Sequence, residues 1–285
     1  MRLANVDGRA SLITDGKVLD VEQASGGVLG PDPMVLSSLE HHDALRVLIE
    51  TGDPEGLPPL EEASLGPPVP RPTKIVAIAL NYRSHAEDFE IPIPDEPHLF
   101  AKFPSCVTGP QGDIVIPAGR EMVDFEAEVV LVLGKRCHGL GPEVVWDHIA
   151  GVTGGQDISD REEQFRPPVK QFTMAKSYDT FGPTGPVMVT PDEFDDPNDI
   201  ELVGRLDGTE MQRGRTSDLI FPVPELVSWL NRFMTFEPGD LIFTGTPSGT
   251  GEGRQPPVFL REGMVLETEI SGVGTMRNVC ARPEP

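Results

Sequence analysis

Residues Val123–Gly134 read VDFEAEVVLVLG, and the two halves of this stretch demand opposite surroundings. The VVLVL run has no polar position, the mark of a strand covered on both faces. Just before it, Glu126 and Glu128 stand two residues apart, so in a strand their carboxylates leave the same face. Like charges that close are unfavourable unless a cation lies between them or they face open water, and the apolar run argues against open water. Asp124, just ahead of the pair, is assigned to the opposite face and excluded as a metal ligand.

Working outward, a third oxygen ligand is offered by Asp157 in GVTGGQDISDREEQF, where Gly151, Gly154 and Gly155 let the backbone approach closely. An all-oxygen set of Glu126, Glu128 and Asp157 suits a hard divalent cation, magnesium, manganese or calcium, with positions left for water and substrate. Zinc would normally bring histidine or cysteine ligands. The chain around this centre is rich in turns, with 30 glycines and 30 prolines, which suits short strands better than a helical bundle. A proline-rich stretch, Leu57–Thr73, reads as a linker between a small leading domain over residues 1–68 and a catalytic domain over residues 69–285. In the leading unit RLANV, ASLITDG and KVLDVE read as strands, Met34–Gly52 has helical spacing, and His41 and His42 are expected to be exposed.

Beyond the linker, KIVAIAL, PHLFAKF, GDIVIP, EAEVVLVLG, GPVMVT, IELVGRLDG, DLIFTGT and MVLETEISGVGTM read as strands. Helices are expected over PEVVWDHIAGV from Pro142 and over VPELVSWLNRFM, Val223–Met234. The fold class is therefore α+β and predominantly β.

Charge narrows the function. The formal charge of −23 repels phosphate backbones and anionic membranes, so nucleic acid and membrane partners are not expected. An anionic substrate would need a local group of cations to overcome that field. No window approaches the 18 or so apolar residues of a membrane span, and MRLANVDGRA has no signal-peptide pattern. Cys106, Cys137 and Cys280 are scattered and odd in number, with no zinc-site spacing, so a reducing cytoplasm is expected.

Six motifs in order now matter together: KIVAIALNYRSHAED, PHLFAKFPSCVTGP, VDFEAEVVLVLGK, GGQDISDREEQ, MAKSYDTFGPTGP and GDLIFTGTPSGTG. Taken together they resemble the fumarylacetoacetate hydrolase family, and the leading unit is similar to that of bacterial members. The resemblance implies a mixed β-sandwich roll, a homodimer, and a divalent metal on Glu126, Glu128 and Asp157 that chelates a small 2-oxo acid. It implies that Lys176 neutralises charge at the developing enolate and that Arg161 and Gln164 line the site. Gly245 and Thr246 would hold the substrate carboxylate, and Lys102 is a candidate at the site's edge. His85 is implied as general base on a lid, oriented by Asp88 or by Glu87. In hydrolytic members a glutamate three residues on from that histidine orients it; here the position is Asp88, one methylene shorter. Gln156 stands where asparagine is usual, Glu162 replaces an aspartate, and Glu163 replaces an apolar residue.

The expected reaction is hydrolytic carbon–carbon cleavage of an acylpyruvate-like or fumarylpyruvate-like 2,4-dioxo acid through a pyruvate enolate. The alternative is a decarboxylase or isomerase of an oxaloacetate-like or 2-hydroxydienoate acid, which needs the enolate but no activated water. A non-catalytic, metal-stabilised binding protein is a third reading.

Overall fold

The computed structural model describes residues 1–53, 55–60 and 64–283, so residues 61–63 of the proline-rich stretch lie outside the described residues. Strand outweighs helix, and two sheets carry the fold. The large sheet runs in the order Lys17–Asp20, Arg9–Thr14, Arg2–Val6, Gly182–Val189, Ile149–Gln156, Ala127–Leu133, Leu241–Phe243, Ile75–Ala79 and His98–Lys102. The second sheet runs Thr209–Arg215, Glu201–Leu206, Val265–Ile270, Gly274–Ala281 and Ile114–Val115. Pairing is mostly antiparallel, with Leu241–Phe243 running parallel to Ile75–Ala79.

The VVLVL run is apolar throughout because its two faces feed two separate cores. Val130 and Val132 pack with Ile75 and Phe243 on one side. Val129 and Leu131 pack with Val76, Ile242, Leu226 and Leu230 on the other, where the helix Val223–Asn231 lies. Each such side chain, fully buried, contributes about 1.5–3 kcal/mol.

Two expectations are corrected, and one strand is added. Pro142 opens no helix: Pro142–Val144 and Trp146–His148 are single 3₁₀ turns, and the chain then enters the strand Ile149–Gln156. That strand sits between Ala127–Leu133 and Gly182–Val189, and its glycines are what fit there. A β-carbon on Gly155 would lie 2.6 Å from Val130 Cγ2 and 2.8 Å from Phe243 Cε1. The strand Thr209–Arg215 was not anticipated, because it is the outer strand of its sheet and buries little beyond Gln212. His42 is buried and its Nε2 lies 3.0 Å from Leu36 O, whereas His41 remains partly exposed.

The leading strands join the large sheet directly, with Arg2 opposite Val189 and Leu3 opposite Met188. Leu3 and Leu12 share an apolar cluster with Val130 and Phe243. Among the described residues, no helix is long and apolar enough to cross a membrane.

Candidate metal centre and active site

Strand register assembles the centre. Glu128 lies opposite Gly155 and Ala127 opposite Gln156, which carries Asp157 alongside Glu126; Asp157 N–H donates to Glu126 O at 2.9 Å. The glutamine in the place of the usual asparagine keeps the strand end fixed: its Oε1 accepts from Glu126 N–H at 2.9 Å and its Nε2 donates to Thr268 Oγ1. The outcome is three buried carboxylates, Glu126, Glu128 and Asp157, each with an oxygen within 4.8 Å of the others.

Cations surround this triad without matching it. Lys176 Nζ donates to Glu126 Oε2 and Asp157 Oδ2, both at 2.7 Å. Lys102 Nζ donates to Asp157 Oδ1 at 2.7 Å and also to the Lys176 and Phe181 carbonyls. Expected at the edge of the site, Lys102 instead lies buried beneath Asp157, fixing that carboxylate from behind. Arg161 Nη2 bridges Glu126 Oε1 at 2.7 Å and Asp124 Oδ2 at 2.8 Å, and its Nη1 donates to Gln164 Oε1. This corrects the reading of Asp124. A spacing of two puts it on the same side as Glu126, where it serves Arg161 and accepts from the Gly251 and Glu252 amides.

The electrostatics differ sharply along the pair. Burial alone would raise the Glu126 carboxyl, but Lys176 and Arg161 outweigh it and hold the group well below its usual range. Glu128 has only the Gly245 N–H at 2.7 Å; burial, then the charges of Asp157 and Glu126, push its carboxyl well above normal. Burial would lower the Lys176 ammonium, yet Asp157 and Glu126 raise it, so it stays charged. Five carboxylates, Asp124, Glu126, Glu128, Asp157 and Glu252, thus face three cations, Lys102, Arg161 and Lys176. The surplus when all are ionised is two negative charges, which one divalent cation cancels. Oxygen donors, close spacing and this charge deficit fit a hard divalent ion, with Glu126, Glu128 and Asp157 as its holders.

A cavity of about 280 Å³ reaches the triad at Glu126, and Arg161, Gln164, Lys176 and Thr246 also line it. The Gly245 amide is committed to Glu128 and the Thr246 hydroxyl donates to Ala127 O at 2.9 Å, so of these two Thr246 faces the cavity. Gly245 adopts φ +102°, and a β-carbon there would press on Asn81, which explains the glycine. His85, on the short helix Arg83–Asp88, lines the opposite wall against Phe89, at 5.0 Å between ring centroids. Its Nδ1 is shielded and has no hydrogen-bond partner, and burial lowers the imidazole's pKa below its ordinary value.

Neither carboxylate proposed to orient His85 is bonded to it here. Asp88 Oδ2 accepts from Gly249 N–H at 3.0 Å, tying the lid helix to the glycine loop, and Glu87 is exposed. Glu163 now has a role: it pairs with Arg120 at 3.1 Å and with Arg166. Sequence reasoning missed two residues at the cavity, Glu252 and Lys170. Glu252 Oε2 lies 3.3 Å from Arg161 Nε, and burial raises its carboxyl. No pattern in the sequence around Glu252 distinguishes it from its neighbours.

The fold and its buried acidic triad define the class: residues 74–281 match the fumarylacetoacetate (FAA) hydrolase C-terminal family, and the chain belongs to it. Over 220 residues, 77% of this chain and 70% of the relative, it is 39% identical to the Homo sapiens protein named oxaloacetate tautomerase FAHD2A, mitochondrial. A Mycobacterium smegmatis protein assigned as HpcE superposes with a TM-score of 0.91 at 42% identity, covering 100% of both chains. Maleylpyruvate hydrolase from Sphingobium sp. SYK-6, solved with manganese(II) and pyruvate, superposes with a TM-score of 0.82 at 31% identity, also over 100% of both.

Proposed function

We propose that this protein is a divalent-metal-dependent enzyme that moves a proton next to the carbonyl of a small 2-oxo acid, interconverting its keto and enol forms. The observation that carries this reading is one cavity lined both by Glu126 of the acidic triad and by His85, whose ring has no carboxylate bonded to it. A proton shuttle needs a base within reach of the substrate, and His85 lines the cavity as an imidazole that burial keeps towards its neutral, proton-accepting form. The 39% identical relative named oxaloacetate tautomerase supports the same chemistry.

When bound, a magnesium or manganese ion on Glu126, Glu128 and Asp157 supplies Lewis-acid polarisation of the 2-oxo group. The chain's own residues do the rest. Lys176 presents a fixed positive charge beside the floor, where negative charge grows on the substrate oxygen. Lys102 and Arg161 hold Asp157 and Glu126 in place, so neither swings as charge develops. Phe89, Phe100 and Phe172 line the cavity and exclude water, which strengthens each of these interactions. His85 takes the proton from one position and returns it to another.

Hydrolytic cleavage of a 2,4-dioxo acid, the reaction expected from the sequence, is the second reading. The manganese- and pyruvate-containing maleylpyruvate hydrolase structure favours it. It is placed second because hydrolysis needs His85 to activate water, and Asp88 is bonded to Gly249 instead of to the ring. The homodimer and the cytoplasmic location belong to the proposal as well.

The deciding experiment follows enol absorbance of oxaloacetate and of acetylpyruvate with chelator-treated protein, before and after manganese is restored. Metal-dependent keto–enol equilibration of oxaloacetate with acetylpyruvate left intact is the expected result. Cleavage of acetylpyruvate to pyruvate and acetate would replace it with the hydrolase reading. Metal binding with neither reaction would leave a binding protein.

A further inference from the structure

Three cations line the cavity, and two of them are fully engaged: Arg161 with Asp124, Glu126, Gln164 and Glu252, and Lys176 with Glu126 and Asp157. The third is Lys170. Its ammonium lies 5.0 Å from the centre of the Phe165 ring, and no carboxylate among the described residues comes within ion-pair distance of it. Glu252, at the same cavity, feels the Lys170 charge only at longer range. In a chain with 46 acidic against 23 basic residues, a lining cation with no acid partner is out of keeping with its surroundings.

Phe165 to Lys170 leaves the helix Arg161–Gln164 and returns before Phe172–Ala175, and Gln171 N–H donates to Gln164 O at 2.9 Å, closing the loop at its base. The ammonium thus lies over an aromatic face among the residues that line the cavity. Lys170 and Phe165 are both exposed, so the ammonium is in contact with solvent and open to a ligand entering the cavity.

We propose that Lys170 recognises a second carboxylate, at the end of the substrate remote from the metal, and so makes 2-oxo diacids the preferred class. The inference rests on the keto–enol reading above, which sets the 2-oxo end at the triad. An apolar chain would find Phe89, Ile91 and Phe172 at the same wall, so the side-chain end is read by charge at one residue only.

The test compares oxaloacetate with 2-oxobutanoate, of equal carbon number but lacking the second carboxylate. Exchange of C3 protons for deuterium is followed by NMR in the manganese-free, magnesium-loaded enzyme. Lys170→Met should raise KM for oxaloacetate about tenfold or more while leaving 2-oxobutanoate within about twofold, and Lys170→Arg should restore most of the difference. Equal effects on both acids, or none on either, would overturn the assignment while leaving the keto–enol reading intact. A wild-type enzyme that exchanges neither acid would overturn the keto–enol reading, and this assignment with it.

Discussion

Two groups of charge, one buried and one reaching the surface, lie close together along the chain and are built to opposite rules. Around the triad, five carboxylates meet three cations. A few residues on, Asp160 and Glu163 meet Arg120 and Arg166, two against two. Asp160 is further satisfied as an N-cap, its Oδ1 accepting from the Glu162 and Glu163 amides and its Oδ2 from Tyr178. The second group closes on itself and needs nothing from outside. The first remains two positive charges short. Burial makes that shortfall expensive, so charge balance together with burial separates a ligand site from a structural network of the same residue types.

The largest break in this comparison comes from Glu128→Gln. Among the described residues Glu128 has no cation partner, and burial with the charges of Asp157 and Glu126 pushes its carboxyl well up, so a glutamine keeps its shape and removes a charge the metal-free fold does not offset. Stability in chelator should therefore be nearly unchanged. With manganese added, the wild type should gain stability by mass action, about 2.7 kcal/mol at a hundredfold excess over Kd, and the variant should not. Turnover should fall at least about a thousandfold. Thermal melts with and without metal read both arms, and activity above a tenth of wild type would remove Glu128 from the ligand set.

A smaller effect belongs to His85, which faces the unbalanced group. Proton transfer requires the neutral ring, and burial lowers its pKa, so the acid limb of kcat/KM should have its midpoint below the ordinary histidine value of about 6.5. His85→Ala should lose about a hundredfold to ten-thousandfold in keto–enol exchange and lose that acid limb with it. A variant that keeps the limb would assign it to another group, Glu252 being the nearest candidate with a raised carboxyl.

The unequal legibility of these regions has a physical basis. The Glu126 and Glu128 pair was readable because a strand repeats every two residues, and that local rule needs no knowledge of neighbours. The strand Ile149–Gln156 was misread because its identity is set by close approach of flanking strands, which glycines permit but do not announce. Asp88 was read from helical spacing towards His85, yet its partner is the Gly249 amide, 161 residues away in sequence. Lys170 and Glu252 sit in loops without periodicity, and only tertiary structure brings them to the cavity.

The balanced group supplies the smallest effect. Arg120 and Glu163 pair at 3.1 Å with side chains 30% and 11% exposed, so solvent screens part of their attraction. A double-mutant cycle with Arg120→Ala and Glu163→Gln should give a coupling of about 0.5–1 kcal/mol, seen as a shift of about 2 °C in Tm beyond additivity. Metal affinity and kcat/KM should stay within about threefold in all three variants, because neither residue touches the triad or lines the cavity above it. Here losing a carboxylate costs stability with metal present or absent, the reverse of Glu128. Should Glu163→Gln instead weaken manganese binding as Glu128→Gln does, the two groups would be a single network, and local charge balance would not distinguish site from scaffold.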